Sequence, residues 1–281
     1  MKRFILNCLA FVPLLIILLH VRPLILIYTE KYKDTVAGSE IYHSIFKSKQ
    51  KKKTRKILLG DSVGNQLFSN KTNNDTINSL ACNRAIGLVG QFLLLNNCFN
   101  AGNKIDTVYL FYLPFSFSNN LDQIYTYQYF LKPFYHYEYY KMFTQTVKQQ
   151  VHKIPYWILC QYPYFLTSNW SPDFVTKDKL DYTFLSPISV EYLAKMKELC
   201  SMHNCKLIII SPPVRNSKKS FLDNLDTSRI GKNNLSDVFR NYFENIIYLD
   251  DTNFIDQVHL KNPKNYIEYF KNQFIKNQKN L

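Results

Sequence analysis

A serine, a histidine and a carboxylate stand in this chain where they could share one proton path. Gly60-Asp61-Ser62 follows the apolar run Ile57-Leu58-Leu59, and far along the chain Asp256 lies three residues before His259. The run reads as a buried strand, so the Ser62 hydroxyl would emerge at the carboxyl edge of a sheet, where open α/β folds build their sites. The spacing of Asp256 and His259 suits a loop that turns back on itself. In such a loop the carboxylate fixes the imidazole tautomer and the far ring nitrogen faces the serine. This is equipment for acyl transfer, with Ser62 as nucleophile, His259 as general base and Asp256 orienting the histidine. Each half alone also occurs in ordinary turns and surface pairs.

The elements that must position these groups alternate. Residues 57–60 read as a first strand, with a helix-like stretch from near Asn65, and residues 76–82 as a second, short strand. Residues 83–97 place Ile86, Leu88, Val89, Phe92, Leu93 and Leu94 mostly at helical spacing. Residues 106–113 (DTVYLFYL) form a strongly strand-favouring run closed by Pro114. Residues 189–204 suggest a helix, 206–211 a fourth strand ended by Pro212-Pro213, 245–250 a fifth, and 263–276 a last helix. Strands alternating with helices predict a mostly parallel sheet covered on both faces, with right-handed crossovers.

With the serine behind a strand near the amino-terminal side and the Asp-His pair near the carboxyl end, the chain resembles the SGNH (GDSL-like) hydrolase and acyltransferase superfamily. The likeness is sharpest over residues 57–68 (ILLGDSVGNQLF) and 254–260 (FIDQVHL), which match that family's first and last sequence blocks, and it runs loosely over residues 55–275. It implies an α/β flavodoxin-like three-layer sandwich of about five mostly parallel strands. It also implies a Ser62, Asp256, His259 triad and an oxyanion hole formed by the Ser62 amide, a glycine after the second strand and an asparagine after the third. The matching positions are Gly87 or Gly90 and Asn119 or Asn120. The family's usual Gly-x-Asn-Asp third block is replaced by residues 114–120 (PFSFSNN), where Asn119 and Asn120 could equally make a turn. Members of this kind add or remove acyl groups, usually acetyl, on exported polysaccharide of bacterial envelopes. A membrane-bound partner could deliver the acyl donor. Esterase, acyltransferase and a catalytically silent glycan-binding or assembly module all remain open.

The chain has 281 residues and 46% hydrophobic content, enough for one domain of residues 56–281 behind an anchor of residues 1–28 and a basic linker of residues 29–55. After Met1-Lys2-Arg3 the sequence is almost wholly apolar to Tyr28, long enough to cross a bilayer despite Asn7, His20, Arg22, Pro13 and Pro23. No small-x-small site follows the run, which favours an uncleaved anchor over a signal peptide. Lys2 and Arg3 favour a cytoplasmic amino terminus and an extracytoplasmic domain by the positive-inside rule. The formal net charge of +14 raises nucleic-acid binding. Its densest cluster, Lys47, Lys49, Lys51, Lys52, Lys53, Arg55 and Lys56, lacks interleaved aromatics and reads instead as a solvated or headgroup-facing stretch.

Residues 115–187 are too long for a simple connection and predict a helical insertion over the site. The insertion is dense in rings from Tyr125 to Trp170, which suit a core between helices, a carbohydrate groove or a collar at the membrane interface. No nucleotide cofactor is expected, because seven glycines leave little room for a phosphate cradle. No metal is expected either, since His43, His136, His152 and His203 lack partners at ligand spacing. Cys82, Cys98, Cys160, Cys200 and Cys205 read as ordinary buried residues that leave the compartment open. Lys218 and Lys219 either line the site or face solvent.

Overall fold

The computed structural model describes residues 2–72, 76–173 and 184–279, with the side chains of 273–279 outside the description. Helix α1 (Lys2–Tyr28) is followed by α2 (Tyr32–Thr35) and α3 (Ser39–Ser48), then β1 (Lys56–Gly60), α4 (Ser62–Leu67), β2 (Asn78–Ser79), α5 (Gly87–Asn100) and β3 (Thr107–Phe111). The insertion holds α6 (Lys132–Phe134), α7 (Tyr137–Tyr140), α8 (Gln145–His152) and α9 (Pro163–Leu166), joined by short 3-10 and π turns. The chain then forms α10 (Pro187–Met202), β4 (Lys206–Ile210), β5 (Val214–Arg215), α11 (Lys219–Asp223), α12 (Ser228–Lys232), β6 (Tyr248–Leu249) and α13 (Lys264–Lys279).

Four strands make one parallel sheet in the order β2-β1-β3-β4. Strand β3 lies inside the sheet and is buried along its whole length, as a predominantly apolar run should be when helices cover both faces. Alternation along β1 and β3 divides the core in two. Ile57, Leu59, Val108, Leu110 and Tyr112 pack with α5, α10 and the insertion, while Leu58, Tyr109, Phe111 and Leu113 pack with α4 and α13.

The expected fifth strand does not extend this sheet. Pro212 and Pro213 carry no N–H for a ladder and interrupt the chain after β4. The chain resumes as β5, which pairs in parallel with β6 as a separate two-stranded ribbon, with the Val214 amide on the Ile247 carbonyl at 2.9 Å.

Residues 29–55, expected as a linker, are folded against the domain. Helix α3 buries Ile41 completely, and the Ser44 hydroxyl donates to the Leu80 carbonyl at 3.0 Å. Lys47, from the basic run, is itself buried, its ammonium donating to the carbonyls of Thr72 (2.8 Å) and Asn70 (3.1 Å). The expected 115–187 insertion carries short helical pieces joined by non-helical stretches such as 167–173, and residues 174–183 lie outside the described set. Many of its rings are core: Tyr127, Phe130, Phe134, Tyr139 and Phe143 are buried beside α5 and α10.

Helix α1 is apolar around its circumference, and its most hydropathic window is entirely exposed in the isolated chain. A helix of this length and composition can cross a membrane.

Candidate functional site

Ser62 opens α4 directly beyond the carboxyl end of β1, and Asp61 caps that helix, its carboxylate accepting from the amides of Val63 (3.1 Å) and Gly64 (3.4 Å). The other Asp61 oxygen accepts from the Leu113 amide (2.8 Å) and the Ser116 hydroxyl (2.9 Å) beyond β3. Asp61 is fully buried, and burial raises its pKa against the lowering pull of those four donors. One carboxylate thus ties the serine turn to the neighbouring strand end.

Gly60 is required by close approach. A Cβ at this position would stand 2.5 Å from the Phe111 carbonyl oxygen across the β1–β3 ladder. The Gln91 side chain from α5 fixes the same residue from the other side, donating to the Gly60 carbonyl at 2.8 Å and accepting from its amide at 3.3 Å.

The Asp256–His259 segment is a tight reversal. The Ile255 amide donates to the His259 carbonyl (2.8 Å), Phe254 and Leu260 form an antiparallel bridge, and one Asp256 oxygen accepts from the amides of Val258 and His259, each at 2.8 Å. The second Asp256 oxygen meets His259 Nδ1 at 2.7 Å, and His259 Nε2 lies 2.9 Å from Ser62 Oγ. Residues nearly two hundred positions apart therefore form one hydrogen-bonded row. Burial pulls the Asp256 carboxyl upward, but the two amides and the imidazole outweigh it and hold the group at about 2, so it is a carboxylate at neutral pH.

The loop is clamped to the serine helix. Gln66 of α4 donates to the Leu260 carbonyl at 2.8 Å and accepts from the Leu260 amide at 3.0 Å. Arg215 braces the other side, paired with Asp251 at 2.8 Å and reaching the Asp256 carbonyl at 3.4 Å. The row is open to solvent: Ser62 and His259 are half-buried and Asp256 is exposed.

The candidate oxyanion donors are placed differently. The Ser62 amide is the first helical N–H of α4, a position without an intrahelical acceptor, and among the described residues nothing accepts from it. Gly87 takes φ +59° and ψ −177°, a conformation reserved for glycine, and its amide donates to the Arg84 carbonyl. Gly90 lies within α5, where a Cβ would meet the Ile86 side chain at 2.6 Å. Asn119 is buried with its amide group on the Arg84 carbonyl (2.8 Å) and its oxygen on the Leu121 amide (2.8 Å), and the Asn120 oxygen accepts from the Ile188 amide at 3.4 Å. One of the two side-chain N–H groups of Asn119 is thus used by the fold, and this amide lies beside Gly87, 3.6 Å from where a Cβ on that glycine would stand. Of these candidates, the Ser62 amide belongs to the serine of the hydrogen-bonded row itself.

Lys219 is exposed with its ammonium 5.6 Å from the centre of the Tyr248 ring, and Lys218 is half-exposed. Among the described residues no three His, Cys, Asp or Glu side chains gather as metal ligands. Asp61, Gln66, Gln91 and Arg215 position the row, a role that the sequence pattern assigns to none of them. Their one legible signal is the placement of Asp61 and Gln66 within residues 57–68. Comparison with protein-family models, curated proteins and solved structures finds no match to the chain.

Proposed function

We propose that the chain is a membrane-anchored serine acyltransferase or esterase of SGNH type, acting on O-acyl groups, chiefly O-acetyl, of a polysaccharide outside the cytoplasm. The observation that carries this reading is the Ser62–His259–Asp256 row, with contacts of 2.9 and 2.7 Å. The strand order β2-β1-β3-β4 supports it, matching the start of the flavodoxin-like order at whose carboxyl edge such sites form.

The chemistry follows from the protons. Asp256 accepts from His259 Nδ1–H, which leaves Nε2 to accept the Ser62 hydroxyl proton as Oγ attacks the ester carbonyl. The negative charge that develops on the carbonyl oxygen is met by the Ser62 amide, and one good donor of this kind contributes roughly 3–4 kcal/mol. Nε2–H then protonates the departing alkoxide, leaving the acyl group on Ser62. An incoming hydroxyl gives its proton to Nε2 and takes the acyl group, and Nε2–H returns that proton to the departing Ser62 Oγ: a sugar hydroxyl makes the protein a transferase, and water makes it an esterase. The openness of the row suits a bulky polymer. Lys2 and Arg3 ahead of α1 favour placing the domain on the outer face.

Turnover of a chromogenic acetyl ester by the full chain, with and without added polysaccharide, tests the reading. Release that requires Ser62 supports acyl-serine chemistry, and acceleration by polysaccharide with acetate appearing on sugar assigns transfer. Equal rates for wild type and Ser62→Ala refute it in favour of a silent binding module.

A further inference from the structure

The segment between Lys153 and Asp173 contains no Asp, Glu, Lys, Arg or His, in a chain that is 20% charged. It is rich in rings and too broken to span a bilayer, holding Pro155, Pro163 and Pro172, a 3-10 turn at Trp157–Gln161 and the single turn of α9. Such a composition would ordinarily be core, yet Tyr156, Ile158, Tyr162, Tyr164 and Trp170 are exposed, Tyr162 and Tyr164 each at 52%.

Its place in the fold accounts for this. Helix α9 packs against the carboxyl-terminal part of α1. The stripe of α1 that is covered comprises His20, Pro23, Leu26 and Ile27, one helical face, while Val21, Leu24 and Ile25 stay exposed. Leu26 and Ile27 meet Leu166 of α9 together with Tyr32, Val36 and Tyr42. At 1.5 Å per residue this stripe covers about the last 10 Å of the helix, and a bilayer core about 30 Å thick consumes about 20 residues. An element packed beside that stripe sits at the height where hydrocarbon gives way to headgroups. That layer favours Tyr and Trp, whose rings are apolar and whose tips hydrogen-bond.

The segment is also tied to the elements that follow α1 and to the insertion by hydrogen bonds. The Asn169 side chain accepts from the Ala37 amide at 2.7 Å, and the buried Lys132 ammonium donates to the carbonyls of Ser168 (2.6 Å) and Trp170 (2.9 Å).

We propose that residues 154–172 form a membrane-seated collar, with Tyr162, Tyr164 and Trp170 inserted at the bilayer interface beside α1, so that the domain rests on the lipid surface in one orientation. This rests on α1 spanning the membrane and is independent of the acyl-transfer chemistry. Lipid is the favoured occupant because the surface is continuous with the face of α1 that lipid would cover.

The test uses the full chain in phosphatidylcholine vesicles, with and without bromine on the acyl carbons next to the headgroup. A Trp157→Phe variant leaves Trp170 as the remaining tryptophan of the two. Expected are co-flotation with the vesicles, loss of Trp170 emission in brominated lipid, and weak quenching by aqueous acrylamide. Quenching by acrylamide and not by bromine places the collar in water and overturns the proposal. Protection from both places it against protein, such as a second copy, and also overturns it. Co-flotation is scored separately, so failure of the anchor is distinguishable from failure of the collar. Because Trp157 packs on Tyr135, hydroxyl-radical footprinting of the wild-type chain in vesicles provides a second readout. Tyr162 and Tyr164 should be protected while the 97%-exposed Tyr137 is modified, and equal modification refutes the collar.

Discussion

Asp61 is the residue on which the geometry of the serine turn depends most heavily, and removing its carboxylate should damage stability and turnover together. Asp61→Ala withdraws the cap of α4, worth about 0.5–2 kcal/mol. It also leaves the Leu113 amide and the Ser116 hydroxyl without their buried acceptor, at about 1–3 kcal/mol each. Relief of burying a carboxylate offsets part of this, so a net loss of about 3 kcal/mol is expected. With a urea dependence of about 2 kcal/mol per molar, the unfolding midpoint of the full chain in mild detergent should fall by about 1.5 M. Asp61→Asn keeps the size and one carbonyl oxygen but turns an NH2 group toward a donor, and should fall between wild type and alanine. Ester turnover should drop in both variants, because Ser62 is the next residue. A loss below about 1 kcal/mol for alanine would show that the two strand ends are held by something else. Equal losses for asparagine and alanine would show that the acceptor pattern does not matter.

Asp256→Asn keeps an oxygen for the Val258 and His259 amides but presents NH2 to His259 Nδ1, favouring the wrong tautomer. Turnover should fall on the order of 1,000-fold with little change in melting temperature, and an unchanged kcat would remove Asp256 from the chemistry. Gly60→Ala forces a methyl group against the Phe111 carbonyl and should cost about 1–3 kcal/mol, read calorimetrically as a drop of about 2–4 °C per kcal/mol. A neutral result would mean that the β1–β3 ladder yields easily. Burial of Lys132 lowers its pKa from 10.5 to about 8. Between those values the unfolded chain binds more protons than the folded one, so wild type should gain stability relative to Lys132→Met as pH rises through that window, by up to about 3 kcal/mol. Denaturation curves at the two ends of the window check this, and a gap that stays constant or moves the other way refutes it.

What could be read from the residues was what is local. The run before Gly60 and the reversal that joins Asp256 to His259 depend on near neighbours, and so does the predominantly apolar strand β3. The positioning groups depend on partners brought together by folding. Asp61 looks like a turn residue until Leu113 and Ser116 arrive beneath it, and Gln66 looks like a surface helix residue until Leu260 closes on it. Residues 29–55 read as a charged tether because charge implies solvent. Lys47 departs from that reading because backbone carbonyls of Asn70 and Thr72 take the place of water, and Ile41 and Tyr42 supply an apolar face that a linker would lack, while Lys49, Lys51, Lys53 and Arg55 are exposed. A strand does form within residues 245–250, as β6, but it pairs with β5 outside the main sheet, because Pro212-Pro213 marks where β4 ends and carries no sign that the chain pairs afresh beyond it. The rings of the insertion fall into two populations, buried and exposed, and composition alone could not divide them.

The central claim is that Ser62 is a nucleophile activated by His259. Intact-mass and peptide analysis of the full chain after exposure to a serine-reactive fluorophosphonate tests it most directly. One adduct on Ser62 is predicted, absent from Ser62→Ala and formed far more slowly in His259→Ala. A folded protein that takes no adduct on Ser62, or takes it as fast without His259, would contradict the account.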